Sequence, residues 1–186
     1  DEMVLMEAQP NTVVYTSLIG ALAQNKDIKA ALNILKEMKQ QGNKKPHLQP
    51  NLATYHTILR QTAAQGEVRT VRRLLEEIRD NEPHFAVNIK TLTILVSELC
   101  QAGRSAQALQ LWSDSLNGMY GPPVVPDRAA YVTMIDHLGR TGALEDLQAG
   151  MELLEEAQRE GLIKIKTRRS NKILDLRSLK HPGLVP

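Results

Sequence analysis

Cysteine and aromatic residues are scarce in this chain of 186 residues. Its one cysteine, Cys100, cannot form a disulfide within the chain, and there is no cysteine cluster to hold zinc. Aromatic residues make up 3% of the sequence, with one Trp and one Phe, which is too few to fill a large globular core. We therefore expect a core of stacked aliphatic side chains, with Cys100 buried among them as a small hydrophobic residue.

Long apolar runs and catalytic motifs are also missing. No apolar run is long enough to span a bilayer, and no signal peptide is visible. The five histidines are scattered, none lies near a pair of cysteines, and no H-E-x-x-H motif occurs. We expect a protein that is not an enzyme and that has no metal, no cofactor, no membrane contact and no small-molecule substrate.

What the chain does contain is a repeated unit. Residues 10–42 have the sequence P-N-T-V-V-Y-T-S-L-I-G-A-L-A-Q-N-K-D-I-K-A-A-L-N-I-L-K-E-M-K-Q-Q-G, in which two apolar stripes at helical spacing flank a short break. The start of the unit and its first large apolar residue recur: Pro10-Asn11 with Tyr15, Pro50-Asn51 with Tyr55, Val87-Asn88 with Leu92, and Pro126-Asp127 with Tyr131. The spacings between these apolar residues are unequal, at 40, 37 and 39, and the extra residues fall in the loops 42–49, 79–86 and 118–125. Without their extra residues each unit is about 35 residues long, as in helical repeat proteins.

This pattern predicts pairs of antiparallel helices. The pairs cover residues 12–24 and 27–41, 52–65 and 67–80, 89–102 and 105–117, and 128–141 and 143–160. Asp27 is predicted to cap the start of its helix and Gly42 the end of the same helix. We expect the tail of a preceding repeat at 1–11, repeats at 12–51, 52–88 and 89–127, a divergent repeat at 128–161, and a basic segment with a capping helix at 162–186. Because the chain opens within a repeat, we expect it to be part of a longer protein.

Two stretches of the chain carry a family resemblance. V-V-Y-T-S-L-I-G-A-L-A-Q with A-A-L-N-I-L-K-E-M-K-Q-Q-G, and T-L-T-I-L-V-S-E-L-C-Q-A-G-R-S-A-Q-A-L-Q-L-W, resemble the pentatricopeptide repeat. The Trp, Leu-Gly and Tyr pattern of the related tetratricopeptide repeat is not visible. The resemblance implies an all-α fold, a right-handed superhelical solenoid of antiparallel helix-turn-helix repeats, with Trp112 in its core. It also implies a mitochondrial or chloroplast protein that binds single-stranded RNA, one base per repeat.

In that family, one residue early in the first helix and one at the end of the repeat select the base. The resemblance implies three base-reading pairs: Thr16 with Asn51, His56 with Asn88, and Thr93 with Asp127. The first resembles an adenine-type pair and the third a guanine-type pair, whereas Val132 in the fourth repeat cannot hydrogen-bond a base edge. An Asn or Asp at the repeat boundary is also an ordinary helix N-cap. That second interpretation stays open.

Further RNA contacts are expected beside these pairs. Val13, Ala53 and Ala129 hold the positions that pack against a base, whereas Lys90 at the same position suits a phosphate. The segment 162–186 has seven basic residues and one acidic residue, a net charge of +6, while the rest of the chain has 16 basic and 20 acidic residues, a net charge of −4. Because basic density attracts phosphates, we expect phosphate contacts from Lys164, Lys166, Arg168, Arg169 and Lys172. A polar, solubilising end of the solenoid is the alternative interpretation.

Two functions are compatible with the sequence. The first is a non-catalytic organellar RNA-binding repeat protein that holds single-stranded RNA on its concave face, in RNA processing, stability or translation. The alternative is a structural subunit of a large organellar ribonucleoprotein, such as the mitochondrial ribosome, in contact with protein or ribosomal RNA and without a base code. The negative charge of residues 1–161 and the unusual residues His56 and Val132 favour the alternative.

Overall fold

The described part of the chain has only helices as regular secondary structure. A computed structural model describes residues 11–81 and 87–164. These residues form eight α-helices and a short 3-10 helix at Pro46–Leu48. The α-helices are α1 (Thr12–Gln24), α2 (Ile28–Gly42), α3 (Leu52–Ala64), α4 (Val68–Asn81), α5 (Ile89–Gln101), α6 (Ser105–Leu116), α7 (Arg128–Thr141) and α8 (Leu144–Arg159). Each helix predicted within the described residues matches an observed α-helix to within one residue at either end. The predicted tail of a preceding repeat at 1–11 and the predicted capping helix within 162–186 fall almost wholly outside the described residues.

The helices pack in pairs and fall into two compact units, residues 1–124 and 125–186. In the first unit α1 packs on α2, α3 on α4 and α5 on α6, and the short turn within each pair makes its helices antiparallel. Helix α3 also packs against both α1 and α5. The first helices of three successive repeats therefore lie side by side in the first unit. In the second unit α7 packs on α8.

A side-chain cap at the repeat boundary sets the start of each first helix. The Asn51 side-chain oxygen accepts a hydrogen bond from the Thr54 backbone N–H at 3.0 Å. Bonds of the same kind join Asn11 to Val14, Asn88 to Thr91 and Asp127 to Ala130, at 3.1, 2.9 and 2.8 Å. Each bond satisfies one of the N–H groups that a helix leaves unpaired at its first turn. The N-cap interpretation of these residues is therefore correct for their side-chain oxygens.

The core consists mostly of aliphatic side chains, as the scarcity of aromatic residues predicted. Cys100 and Trp112 are both buried, in agreement with their predicted positions. The large apolar residue near the start of each first helix, Tyr15, Tyr55, Leu92 or Tyr131, is here called the anchor residue. Tyr55, Leu92 and Tyr131 are fully buried between helices. None of the described helices is both long enough and apolar enough to cross a membrane.

The turn within each helix pair contains a residue in the left-handed backbone conformation. Gly66, Gly103 and Gly142 hold this position with φ angles of 71°, 71° and 70°. In the first repeat the equivalent residue is Lys26, with φ of 64°. Glycine adopts this conformation at no steric cost, whereas the Cβ atom of any other L-residue crowds the following carbonyl oxygen. The first repeat therefore carries a strained turn that the other repeats avoid.

We predict that Lys26→Gly stabilises the chain. Removing the Cβ atom relieves the strain, and the added flexibility of the unfolded chain offsets part of that gain, so we expect an increase of about 0.5–1 kcal/mol in the free energy of unfolding. The free energy of unfolding is measured by urea denaturation monitored by circular dichroism. Lys29→Gly, an exposed position within α2, is the matched control and should destabilise by about 1 kcal/mol. Destabilisation by Lys26→Gly would contradict the strained-turn account.

Asp27 caps the start of α2 as predicted, because its side-chain oxygen accepts a hydrogen bond from the Ala30 backbone N–H at 2.9 Å. The prediction that Gly42 caps the end of the same helix is wrong. Gly42 is the last residue of α2 and is buried, and the helix ends at Asn43. The chain folds back as the 3-10 helix and places Gln49 directly over Gly42. A Cβ atom at Gly42 would lie 2.9 Å from the Cα atom of Gln49. The glycine therefore serves close packing and not a left-handed turn.

Gly42→Ala should destabilise the chain by about 1–3 kcal/mol, because the added methyl group meets the Gln49 backbone and the loop must shift. Gly139→Ala in α7 is the matched control: nothing lies within 4 Å of its added Cβ, and alanine should stabilise that helix by about 0.5–1 kcal/mol. Chemical denaturation measures both. Equal effects of the two substitutions would show that Gln49 does not pack against Gly42.

Candidate nucleic-acid interface

In the first unit, helices α1, α3 and α5 form a surface that is here called the first-helix face, and it carries five of the six base-reading residues implied by the family resemblance. The sixth, Asp127, caps α7 in the second unit. Thr16, His56 and Thr93 each follow the anchor residue of their helix and are half-buried. The residues after Tyr15 and Tyr55 are turned towards the neighbouring first helix, since Thr16 contacts Thr54 of α3 and His56 contacts Thr91 of α5. Thr16 and His56 therefore lie where two repeats meet.

Thr16 and Asn51 are joined through a third residue, Thr54. The Thr16 and Thr54 hydroxyl oxygens are 2.7 Å apart, across the boundary between α1 and α3. The Thr54 hydroxyl donates to the Asn51 side-chain oxygen at 3.1 Å and accepts from the Asn51 backbone N–H at 3.3 Å. The predicted pair is thus one connected polar cluster, assembled from the first helices of two adjacent repeats.

The second predicted pair has the same arrangement. His56 Nε2 is 2.9 Å from the Thr91 hydroxyl, across the boundary between α3 and α5. The Thr91 hydroxyl lies 3.2 Å from the Asn88 side-chain oxygen, which also accepts from the Thr91 backbone N–H at 2.9 Å. Burial lowers the pKa of His56 below its ordinary value. The imidazole in this cluster is therefore neutral at physiological pH.

The third and fourth repeats differ from the first two. The Thr93 hydroxyl donates to the backbone carbonyl of Ile89 in its own helix at 2.7 Å. Asp127 caps α7 through Ala130, and Ala130 has no hydroxyl group with which to build a cluster of the kind seen at Thr54 and Thr91. Val132 is half-buried and has no polar side-chain atom. The polar arrangement on the first-helix face thus belongs to the first two repeats.

A pocket of about 240 Å³ opens between α3 and α5 beside the His56 cluster. It is lined by His56, Thr57, Leu59, Arg60, Thr91, Ile94 and Leu95. The Arg60 Nε and Glu98 Oε1 atoms are 3.0 Å apart, and the Arg60 side chain is 63% exposed. The pocket therefore combines aliphatic walls, an imidazole ring and an exposed guanidinium group.

The remaining predicted contact residues are exposed where the structure describes them. Val13 is 70% exposed, and Ala53, Ala129 and Lys90 are exposed as well. Lys164 is exposed at the end of the described residues. The other predicted phosphate contacts, Lys166, Arg168, Arg169 and Lys172, lie outside the described residues.

Sequence reasoning missed Thr54, Thr91 and Arg60. Thr54 and Thr91 occupy the same place in successive repeats, three residues after the cap, and that shared hydroxyl was a signal available in the sequence. Arg60 and its partner Glu98 are 38 residues apart, so nothing local linked them. Among residues 11–81 and 87–164, no group of three or more His, Cys, Asp and Glu side chains is arranged to hold a metal ion.

The chain is similar to known proteins along most of its length. A family model described as a pentatricopeptide repeat domain matches residues 1–60. A pentatricopeptide repeat-containing protein of Arabidopsis thaliana is 27% identical over 77% of this chain, and a mitochondrial one from the same plant is 28% identical over 62%. The crystal structure of the pentatricopeptide repeat protein PPR10 from maize matches 88% of this chain with a TM-score of 0.69 at 18% identity. The chain is therefore similar to pentatricopeptide repeat proteins in sequence and in fold.

The matches to pentatricopeptide repeat proteins confirm the predicted fold class, an all-α solenoid of antiparallel helix pairs. The chain spans about a fifth of the length of the relatives it matches, 20% and 22% of the two plant proteins and 21% of the maize chain. Plant and rodent relatives are named as mitochondrial or chloroplastic proteins. These names confirm the organellar localisation that the sequence resemblance predicted.

We predict that His56 titrates below its ordinary pKa of about 6.5. Because burial weakens proton binding in the folded chain, the unfolded chain binds more protons as the pH falls below about 6.5, and the free energy of unfolding should decrease over that range. NMR titration of the imidazole measures the pKa. The acid-induced loss of stability should be smaller in His56→Gln. Titration of His56 at or above 6.5 would contradict the account.

Proposed function

We propose that this chain is a non-catalytic RNA-binding segment of an organellar pentatricopeptide repeat protein. Single-stranded RNA lies along the first-helix face, and the repeats at 12–51 and 52–88 each take one base. The protein acts by holding or presenting RNA in processing, stability or translation. The basic segment 162–186 adds phosphate contacts.

The observation that carries this proposal is the recurrence of one polar cluster on the same face. Thr16 with Asn51 and His56 with Asn88 are each connected through a threonine at the start of the next first helix. Hydrogen-bonding side chains at the same place in two successive repeats suit recognition of one base per repeat.

Apolar surface beside the clusters supports the proposal. Exposed Val13 precedes Thr16 by almost one helical turn, and the pocket beside His56 has Ile94 and Leu95 in its walls. A splayed base has two flat faces that stack on aromatic or aliphatic surface. The exposed Arg60 guanidinium at the rim of the pocket suits a phosphate or a base face.

The capping role of Asn51 makes an alanine substitution ambiguous, because it removes the helix cap together with any base contact. Asn51→Asp separates the two roles. Aspartate caps α7 in the same way at Asp127, so the helix should start as before. The side-chain amide donor becomes an acceptor, so the base preferred at one position of the RNA should change. The family resemblance implies a change from adenine to guanine.

The measurement is selection from a random single-stranded RNA pool by the 186-residue chain, followed by affinity measurements on the selected sequence. We expect Asn51→Asp to change the preference at one nucleotide by roughly tenfold, the value of about 1–3 kcal/mol per specific contact. Asn33→Asp, exposed on α2, adds the same charge away from the first-helix face and should leave the preference unchanged. An unchanged preference in Asn51→Asp would restrict Asn51 to capping.

The second candidate function is a structural role in a large organellar ribonucleoprotein. It is favoured by α8, which carries five acidic residues and one basic residue. The same helix exposes Leu144, Leu147 and Met151, which share one stripe at helical spacing. A surface of this kind repels phosphates and is typical of protein contact. RNA binding without enrichment of any sequence, lost at raised salt, would favour this candidate over the first.

A further inference from the structure

The two clusters on the first-helix face fix the direction of their hydrogen bonds. In the first cluster the Asn51 side-chain oxygen accepts from the Thr54 backbone N–H, and this bond identifies the oxygen and nitrogen of the amide. The Thr54 hydroxyl also lies against that oxygen, at 3.1 Å, so it must donate there. Because the single hydroxyl hydrogen of Thr54 is donated to Asn51, the Thr54 oxygen accepts a hydrogen bond from the Thr16 hydroxyl across the 2.7 Å contact.

The donors and acceptors of the second cluster are assigned in the same way. The Thr91 backbone N–H identifies the Asn88 side-chain oxygen, and the Thr91 hydroxyl donates to that oxygen at 3.2 Å. The 2.9 Å contact between Thr91 and His56 is then satisfied only if His56 Nε2 carries the proton. The opposite arrangement leaves two acceptor oxygens facing each other. Nε2 therefore carries a proton, and because burial favours the uncharged ring by lowering the pKa of His56, Nδ1 keeps a lone pair.

Both clusters consequently offer a ligand the same chemistry. Thr16 and His56 already donate their hydrogen to a threonine of the protein, so each can only accept a hydrogen bond from a ligand. The side-chain oxygens of Asn51 and Asn88 already accept from the backbone and the hydroxyl of the threonine. Within the described residues, the amide N–H₂ group of each Asn remains as a donor for a ligand. A base on the first-helix face therefore meets one acceptor and one donor whose positions and polarity are set before it arrives.

We propose that Thr54 and Thr91 are specificity-determining positioning residues, which set the hydrogen-bond polarity of the base-reading residues of the preceding repeat. The proposal rests on the proposed RNA-binding function and names residues outside the base-reading pairs. Thr54 and Thr91 are buried, so they act on a base through Thr16 and His56 and not by touching it. In α7 the residue three positions after the cap is Ala130, so the fourth repeat provides no hydroxyl group to position Thr93 of the third repeat.

The test is Thr54→Val and Thr91→Val in the 186-residue chain, with selection from random single-stranded RNA pools. Valine keeps the shape of threonine and removes the hydroxyl. Thr16 then becomes free to donate or accept, and His56 to carry its proton on either nitrogen. We expect base discrimination at one nucleotide to fall by about threefold to tenfold in each variant, which is the value of one hydrogen bond of fixed direction. Total RNA affinity should change much less.

Two controls separate positioning from a loss of structure. Thr62→Val removes an equally buried hydroxyl from the same helix as Thr54, where it bonds only the Ile58 carbonyl, and it should leave discrimination unchanged. Thr54→Ser and Thr91→Ser keep the hydroxyl and should retain the discrimination of the unsubstituted chain. The ¹⁵N spectrum of the RNA-free protein should show His56 with its proton on Nε2, and a mixture of the two tautomers in Thr91→Val.

The outcomes distinguish this inference from the proposed function. RNA selection that keeps its base preference in both valine variants would overturn the inference and leave RNA binding intact. A mixture of His56 tautomers in the unsubstituted protein would overturn the fixed polarity of the second cluster directly. A chain that selects no sequence at all would overturn the proposed function, and the role of the threonines in specificity with it.

Discussion

The bond between the boundary Asn side chain and the first turn of the next helix is the contact on which the rest of this structure depends. It starts the helix, and it holds the repeat boundary in an extended conformation just before that helix. It also commits the side-chain oxygen of the residue, so the amide nitrogen is the part of Asn51 and Asn88 that remains for a ligand. Helix initiation and surface chemistry are therefore set by one interaction, and a change that alters one alters the other.

The burial of the anchor residues provides the second constraint. Tyr55 is fixed between helices, and His56, which follows it, is held at the boundary with the neighbouring first helix. Packing of α3 against both α1 and α5 then brings the side chains of successive repeats within hydrogen-bond distance. The clusters at Thr54 and Thr91 follow from this packing and from the caps.

Helix positions and caps could be predicted from the sequence because they depend on local patterns. Apolar spacing predicted every described α-helix, but not the 3-10 helix at Pro46–Leu48. Asn51 and Asp27 were recognised as caps from their places before apolar stripes. The role of Gly42 could not be predicted, because it depends on Gln49 folding back over the end of α2. Thr54 and Thr91 were missed for a similar reason. Their partners Thr16 and His56 belong to another repeat, and a pattern within one helix does not indicate which hydroxyl faces which neighbour.

The clusters on the first-helix face have a consequence for how such proteins can be rearranged. Each cluster takes two residues from one repeat, one in its first helix and the Asn that ends it beyond the loop, and takes the threonine from the next repeat. A unit that is duplicated, exchanged or grafted at the loop carries its own Thr16 or His56 but leaves the companion Asn and Thr behind. Recombination that conserves a complete cluster has to cut within a first helix, beyond the threonine. The stretch of sequence that must be exchanged to keep one cluster intact therefore does not coincide with the helix pair that forms one structural repeat.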